Sequence, residues 1–217
     1  MLNITRFINL SDRQFRTGIW KRHQGRRIGK SVIGLIGFGR IGRSVARLLV
    51  PYRPRKMLVN DIKDKSSEIK KIHEAGICIE MVPLSRIFKE SHIISLHVPM
   101  YSKTRNLIAE KQLAQMRLDS FLINTARGGV VNEKALFESL TKGKLGGAAL
   151  DVFEEEPYSG PLGELDNVLL TPHIGSCSYD CRAQMEIEAT EEVIRFFRGE
   201  RLQNEVPEEE YVYQQVG

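Results

Sequence analysis

The stretch SVIGLIGFGRIGRSVARLL, residues 31–49, sets Gly37, Gly39 and Gly42 between an apolar run and a segment of helical period. No other feature limits the possible folds as much. A strand that ends in G-x-G-x-x-G and turns straight into a helix opens a dinucleotide-binding βαβ unit. Gly37 permits the tight turn, Gly39 lets a pyrophosphate approach the backbone, and Gly42 lets helix pack on strand. The spacing alone is weak evidence, but its flanks strengthen it. Asp61 stands nineteen residues after Gly42, at the end of the next apolar run, KMLVND (56–61), where a carboxylate can accept hydrogen bonds from ribose hydroxyls. That charge repels a 2′-phosphate and no Arg directly follows it, so NAD is expected rather than NADP. The free N–H groups and positive dipole end of the helix would face the phosphates.

Strand-like and helix-like runs alternate along the rest of the chain, which is the pattern of a parallel sheet covered on both faces. Further strands are expected at 77–81, 91–98, 120–125, 145–152 and 167–171. Helices are expected at 11–20 with Ser11 as N-cap and Phe15, Ile19 and Trp20 on its apolar stripe, at 39–49 closed by Pro51, at 66–76, at 132–143 and at 179–198. The fold class is α/β, a doubly wound parallel sheet of the Rossmann type, with a C-terminal helix. Residues 1–178 are expected to form the nucleotide-binding domain with a leading helix, and 179–217 a C-terminal helix and tail, weakly ordered over 204–217.

Charge is unevenly spread. Residues 1–56 hold fourteen Lys or Arg against one acid, Asp12, giving +13, so the remainder carries −8 to reach the net +5. These cations are interleaved with a periodic helix and the glycine turn. They read as a surface facing phosphates or acidic partners, and nucleic acid is not the expected partner. No window is apolar enough for a membrane span, and the N-terminus lacks a secretory pattern. Three cysteines, Cys78, Cys177 and Cys181, form no C-x-x-C pair, which argues for a reducing compartment, and the cytoplasm is the expected location.

Ligands of a doubly wound sheet sit beyond the carboxyl ends of its strands. Arg127 follows one strand in TARGG. LDVFEEEP (150–157) follows another and carries Glu154, Glu155 and Glu156. His173 follows a third in TPHIG. A cation, a carboxylate and an imidazole thus come to one rim. A carboxylate in contact with an imidazole favours the charged ring and so tunes it for acid/base work.

The stretches GKSVIGLIGFGRIG, ISLHVPMYSKTRNLI, FLINTARGGVVNEKAL, GAALDVFEEEP and NVLLTPHIGS together resemble the D-isomer-specific 2-hydroxyacid dehydrogenases, over about residues 10–205. The resemblance implies hydride transfer between NAD and C2 of a small 2-hydroxy or 2-oxo acid. It assigns Arg127 to orienting the substrate, His173 to acid/base work and Glu156 to pairing with the histidine. It places Arg40 and Ile41 at the pyrophosphate and Asp61 at the ribose. Thr125, Ala126, Asp151 and Gly175 fall beside the nicotinamide, and His97, Val98 and Pro99 on the adenine side. It also implies a homodimer. Members of the family begin with a substrate domain of roughly a hundred residues, a usual small-domain length. Here the helix that leads into the glycine turn begins near residue 11, so an open, wet and weakly active site is expected, with the C-terminal helix returning toward such a domain.

The alternative is a non-catalytic, nicotinamide-responsive module similar to the family's corepressor branch. His173, Cys177 and Cys181 are spaced by four, but three ligands without a C-x-x-C pair make a poor metal set, and no metal is expected. His23, His73 and His92 are expected on ordinary surface.

Overall fold

Short runs of Val, Ile, Leu and Ala, each bounded by turn residues, become strands because both of their faces can be covered by helices. The computed structural model describes residues 1–206. In chain order it places α1 (Leu2–Thr5), α2 (Ile8–Arg16), β1 (Val32–Ile36), α3 (Arg40–Leu49), β2 (Lys56–Asn60) and α4 (Ser66–His73). There follow β3 (Ile79–Met81), α5 (Leu84–Glu90), β4 (Ile93–Leu96), α6 (Glu110–Leu113) and β5 (Phe121–Asn124). The chain continues through α7 (Glu133–Thr141), β6 (Gly147–Leu150), β7 (Val168–Leu170) and α8 (Tyr179–Phe197).

All seven strands are parallel, in the order β3-β2-β1-β4-β5-β6-β7. The chain winds outward from β1 in one direction and then, from β4 onward, in the other. The reversal opens a crevice at the carboxyl ends of β1 and β4. Alternate side chains of each strand enter opposite cores. Ile33 and Leu35 share one core with Ala46 and Leu49 of α3 and Ile72 of α4, while Val32 and Ile36 belong to the other, with Ile87 and Phe88 of α5 and Leu136 and Leu140 of α7. Burying each of the larger apolar side chains contributes about 1.5–3 kcal/mol.

Each expected strand forms, one or more residues shorter at its ends. Asn132 caps α7, its side chain accepting from the Ala135 N–H at 2.9 Å. Several expectations need correction. The first amphipathic helix starts at Ile8, so Ser11 lies inside it. The chain enters from Phe7 in the left-handed region, and no side chain caps the helix. The residue it buries is Leu10, and Phe15, Ile19 and Trp20 are exposed. α3 does end at Leu49 ahead of Pro51, as expected, and a 3-10 turn, Val50–Tyr52, follows it. α1, α5 and α6 were not expected; each spans too few turns to display an apolar period. His92 and His23 have partners, since Nδ1 of His92 accepts from the Val32 N–H at 3.0 Å and His23 lies 2.7 Å from Gln14 Oε1.

α8 is the expected long helix, capped by Ser178, and none of its residues is buried. Of the weakly ordered tail expected over 204–217, residues 207–217 lie outside the described residues. No helix among the described residues is long and apolar enough to cross a membrane.

Candidate active site

The glycine turn leaves β1 with Gly37 at φ +90°, and a Cβ there would lie 2.5 Å from the His97 carbonyl oxygen. One on Gly42 would lie 2.2 Å from the Gly37 carbonyl, whereas one on Gly39 would meet nothing within 4 Å. The outer two positions are therefore closed by the fold, and the middle one is open to whatever approaches. Gly39 caps α3 without a side-chain hydrogen bond, so the first N–H groups of the helix, on Arg40 and Ile41, are left for an anion. Asp61 ends β2 beside them. Its Oδ2 accepts from the Phe38 N–H at 2.7 Å and its Oδ1 from the Lys63 N–H at 2.9 Å, so the carboxylate both closes the turn and stays at its rim. An open turn, unpaired helix amides and a neighbouring carboxylate fit a dinucleotide.

His97 sits beneath this turn. Its N–H donates to Ile36 at 2.7 Å, and its Cδ2 faces Gly42. Nε2 is buried without a partner, and burial pushes the ring's pKa down to about 4, so the ring is neutral at physiological pH. Val98 is half-buried and Pro99 exposed. Pro99 is held through its carbonyl by the Thr104 hydroxyl at 2.6 Å.

At the end of β5, buried Asn124 shapes the next loop. Its Nδ2 donates to the Arg127 carbonyl at 3.0 Å, and its Oδ1 accepts from the Ala126 N–H at 3.1 Å. Thr125 and the Arg127 side chain are exposed, whereas Ala126 is buried. Arg127 Nη1 donates to the Ala126 carbonyl at 2.7 Å. A Cβ on Gly128 would fall 1.8 Å from the Phe153 carbonyl oxygen, so only glycine lets the loops after β5 and β6 touch.

After β6, the buried Asp151 accepts from the Thr171 hydroxyl at 2.5 Å and from the N–H groups of Ile174 and Gly175 at 2.9 Å each. These three bonds straddle His173, whose φ of 53° is uncommon for a residue other than glycine. Asp151, expected beside a cofactor, thus commits its carboxylate to holding the histidine's loop, with Gly175 close against it. Glu156 accepts from the Phe153 N–H at 3.0 Å, and its Oε2 lies 2.9 Å from His173 Nδ1. The histidine hydrogen bond first, and the Phe153 N–H second, hold the Glu156 carboxyl below its ordinary value.

Arg127, Glu156 and His173 line one cavity of about 410 Å³, with Met100, Arg105, Gly128, Gly129, Phe153 and Glu154. The sequence reading missed Asn124, Thr171, Arg105 and Met100. A polar residue closing an otherwise apolar strand was the available signal for Asn124. Nothing in the spacing marks Arg105, which reaches the cavity from the segment after β4. A larger cavity, about 620 Å³, is lined by Arg53, Arg55, Gly76 and Cys78 among others, at the opposite, amino edge of the sheet. Among the described residues, no group of His, Cys, Asp and Glu is placed to hold a metal ion.

Residues 1–175 match the family model described as "D-isomer specific 2-hydroxyacid dehydrogenase, NAD binding domain". The glyoxylate reductase of Korarchaeum cryptofilum is 40% identical over 207 residues, covering 92% of this chain and 60% of that protein. The D-3-phosphoglycerate dehydrogenase of Methanocaldococcus jannaschii is 36% identical over 210 residues, covering 95% of this chain and 39% of its own length. Among solved structures, a glyoxylate reductase from Paecilomyes thermophila superimposes with a TM-score of 0.86 at 29% identity, over 96% of this chain and 62% of that one. A D-lactate dehydrogenase with NAD+ from Lactobacillus jensenii gives 0.82 at 27% identity, over 95% and 65% respectively. The chain therefore spans less than two thirds of these relatives. With its first 175 residues matched by that single domain description, the chain belongs to the D-isomer specific 2-hydroxyacid dehydrogenase family and carries its NAD-binding domain.

Proposed function

We propose that this chain binds NAD at the glycine turn and carries the reacting side chains of a dehydrogenase that interconverts a small D-2-hydroxy acid and its 2-oxo acid. The observation that carries the reading is the Glu156–His173 contact of 2.9 Å in the same cavity as Arg127. Arg127 presents a planar set of N–H donors that can grip a carboxylate and polarise the adjacent keto oxygen. Its bond to the Ala126 carbonyl limits how far the head group wanders. Glu156, held ionised, accepts from His173 Nδ1–H and leaves Nε2 to give a proton to the substrate oxygen in reduction and take it in oxidation. Bound nicotinamide supplies the hydride acceptor or donor. Asp61 would hold the ribose, and the amides of Arg40 and Ile41 the pyrophosphate. Thr125 and Ala126 would lie toward the nicotinamide.

The reading extends to residues 1–178 as the nucleotide-binding unit, supported by the absence of any buried residue in α8. A cytoplasmic homodimer is part of it. Free Cys78, Cys177 and Cys181 suit a reducing compartment, and exposed Phe15, Ile19 and Trp20 supply apolar surface that a second copy could bury.

The test is NADH fluorescence titration together with NADH oxidation against glyoxylate, hydroxypyruvate, phosphohydroxypyruvate and pyruvate. Arg127→Ala and His173→Ala are expected to bind NADH as the parent does and to lose turnover by about 100-fold or more. Both variants turning over like the parent would sink the assignment. NADH binding with no 2-oxo acid reduced would instead favour a nicotinamide-responsive module.

A further inference from the structure

Arg105 and Glu154 face each other across the mouth of the cavity at 3.0 Å, and neither has a part in the proton and hydride steps. Arg105 stands over the turn that follows Arg127, its Nη1 3.9 Å from where a Cβ on Gly129 would be. Glu154 is fixed twice, by this ion pair and by its own N–H, which donates to Glu133 Oε1 at 2.7 Å. Glu133 is partly buried, and its carboxyl is pushed up first by burial and then by Glu154 and Glu155. One wall of the cavity is thus acidic, formed by Glu154 and Glu156 with Glu133 behind. Arg105, the cation that could receive a second anionic group, is already engaged by Glu154.

We propose that the Arg105–Glu154 pair determines specificity, admitting 2-oxo acids with one negative charge and rejecting those with a second carboxylate or phosphate. This rests on the proposed role of Arg127, which takes the one carboxylate adjacent to the keto group. A second anionic group entering the cavity meets Glu154 rather than a free guanidinium, and like charges brought together at this half-exposed pair repel. A neutral tail of the same shape meets no such penalty.

The experiment compares two ligands of nearly equal shape, 2-oxoglutarate and its 5-methyl ester, by calorimetric titration into the NAD+-loaded protein, where no hydride donor is present. The ester is expected to bind at least about tenfold more tightly. Glu154→Gln frees Arg105 and should shrink that ratio by about fivefold or more, whereas Arg105→Ala leaves Glu154 unneutralised and should widen it. A merely structural pair would weaken both ligands alike and leave the ratio in place. Equal binding of the two ligands to the parent, or a ratio that moves the same way in both variants, overturns the proposal. Ester binding that disappears in Arg127→Ala while the ratio is one removes this proposal and keeps the reading of Arg127. If neither ligand binds while NADH does, the Arg127 reading fails and the proposal falls with it.

Discussion

His173 is held in a left-handed conformation, φ 53°, which costs on the order of 1–3 kcal/mol and persists only where neighbours enforce it. Asp151 enforces it from both sides and Glu156 fixes the ring. The chemical candidates were legible as residue types at strand ends, because a cation, an acid and an imidazole are rarely placed there by packing alone. The brace was not legible, because a buried acid that satisfies backbone N–H groups looks in sequence like any other acid near a site. The pair has a definite pH signature. The carboxyl of Glu156 lies below its ordinary 4.5 in the folded chain, owing first to the His173 hydrogen bond. A depressed acid contributes stability that is complete above the unfolded value and lost as pH falls through the folded one. Glu156→Gln is therefore expected to lower the thermal midpoint slightly at pH 7, slightly because the pair is half exposed. The gap to the parent should narrow as pH falls below the ordinary 4.5 and on through the lower folded value. Melting curves across that range decide it, and a gap that persists undiminished at the acid end would mean that the ionised carboxylate is not what stabilises the loop.

At the level of elements, the strands were readable because parallel strands buried on both faces are nearly continuous apolar runs; all of β1, β4 and β5 is buried. The short helices were not, since α5 and α6 hold seven and four residues and their positions are set by what they cover. α5, for example, packs its Ile87 against the one place in β1, Gly34, that has no side chain. The glycine turn joins the two kinds of element and separates fold from ligand. Gly42→Ala puts a methyl group 2.2 Å from the Gly37 carbonyl. Since that neighbour is backbone, the helix must shift, and a loss of about 1–3 kcal/mol in urea denaturation is expected together with weaker NADH binding. Gly39→Ala meets nothing within 4 Å. It should leave the denaturation midpoint nearly unchanged while NADH affinity drops by about tenfold, because the methyl group occupies the space left for the pyrophosphate. Equal effects of the two substitutions on stability would contradict the assignment of the open position to a ligand.

Across the whole molecule, the uneven charge of the sequence is met in part by pairing within the fold. The basic front was expected to face phosphates or acidic partners, and four of its fourteen cations meet acids of the later part of the same chain. Arg13 pairs with Asp166 at 3.0 Å, Arg43 with Glu68 at 3.2 Å, Arg26 with Asp119 and Lys56 with Glu80. The cations come from residues 1–56 and the acids from the acidic remainder. No sequence pattern reveals this, because each partner is chosen by the strand order that brings distant segments side by side. Of the fourteen cations in the front, only Arg40 and Arg43 belong to the first turn of α3, and Arg43 is already paired. Two consequences follow for salt. The pairs lie at the surface, partly exposed, each worth about 0–1 kcal/mol. Raising sodium chloride from about 0.05 to 0.5 M, which shortens the screening length to well under 10 Å, should therefore move the melting midpoint by less than about 5 °C. NADH affinity should fall by no more than about threefold over the same range, because its diphosphate meets backbone amides and one free guanidinium rather than a field of +13. A loss of tenfold or more would mean that the unpaired front cations act together on the bound dinucleotide, and the internal pairing would then be incidental to how that charge is used.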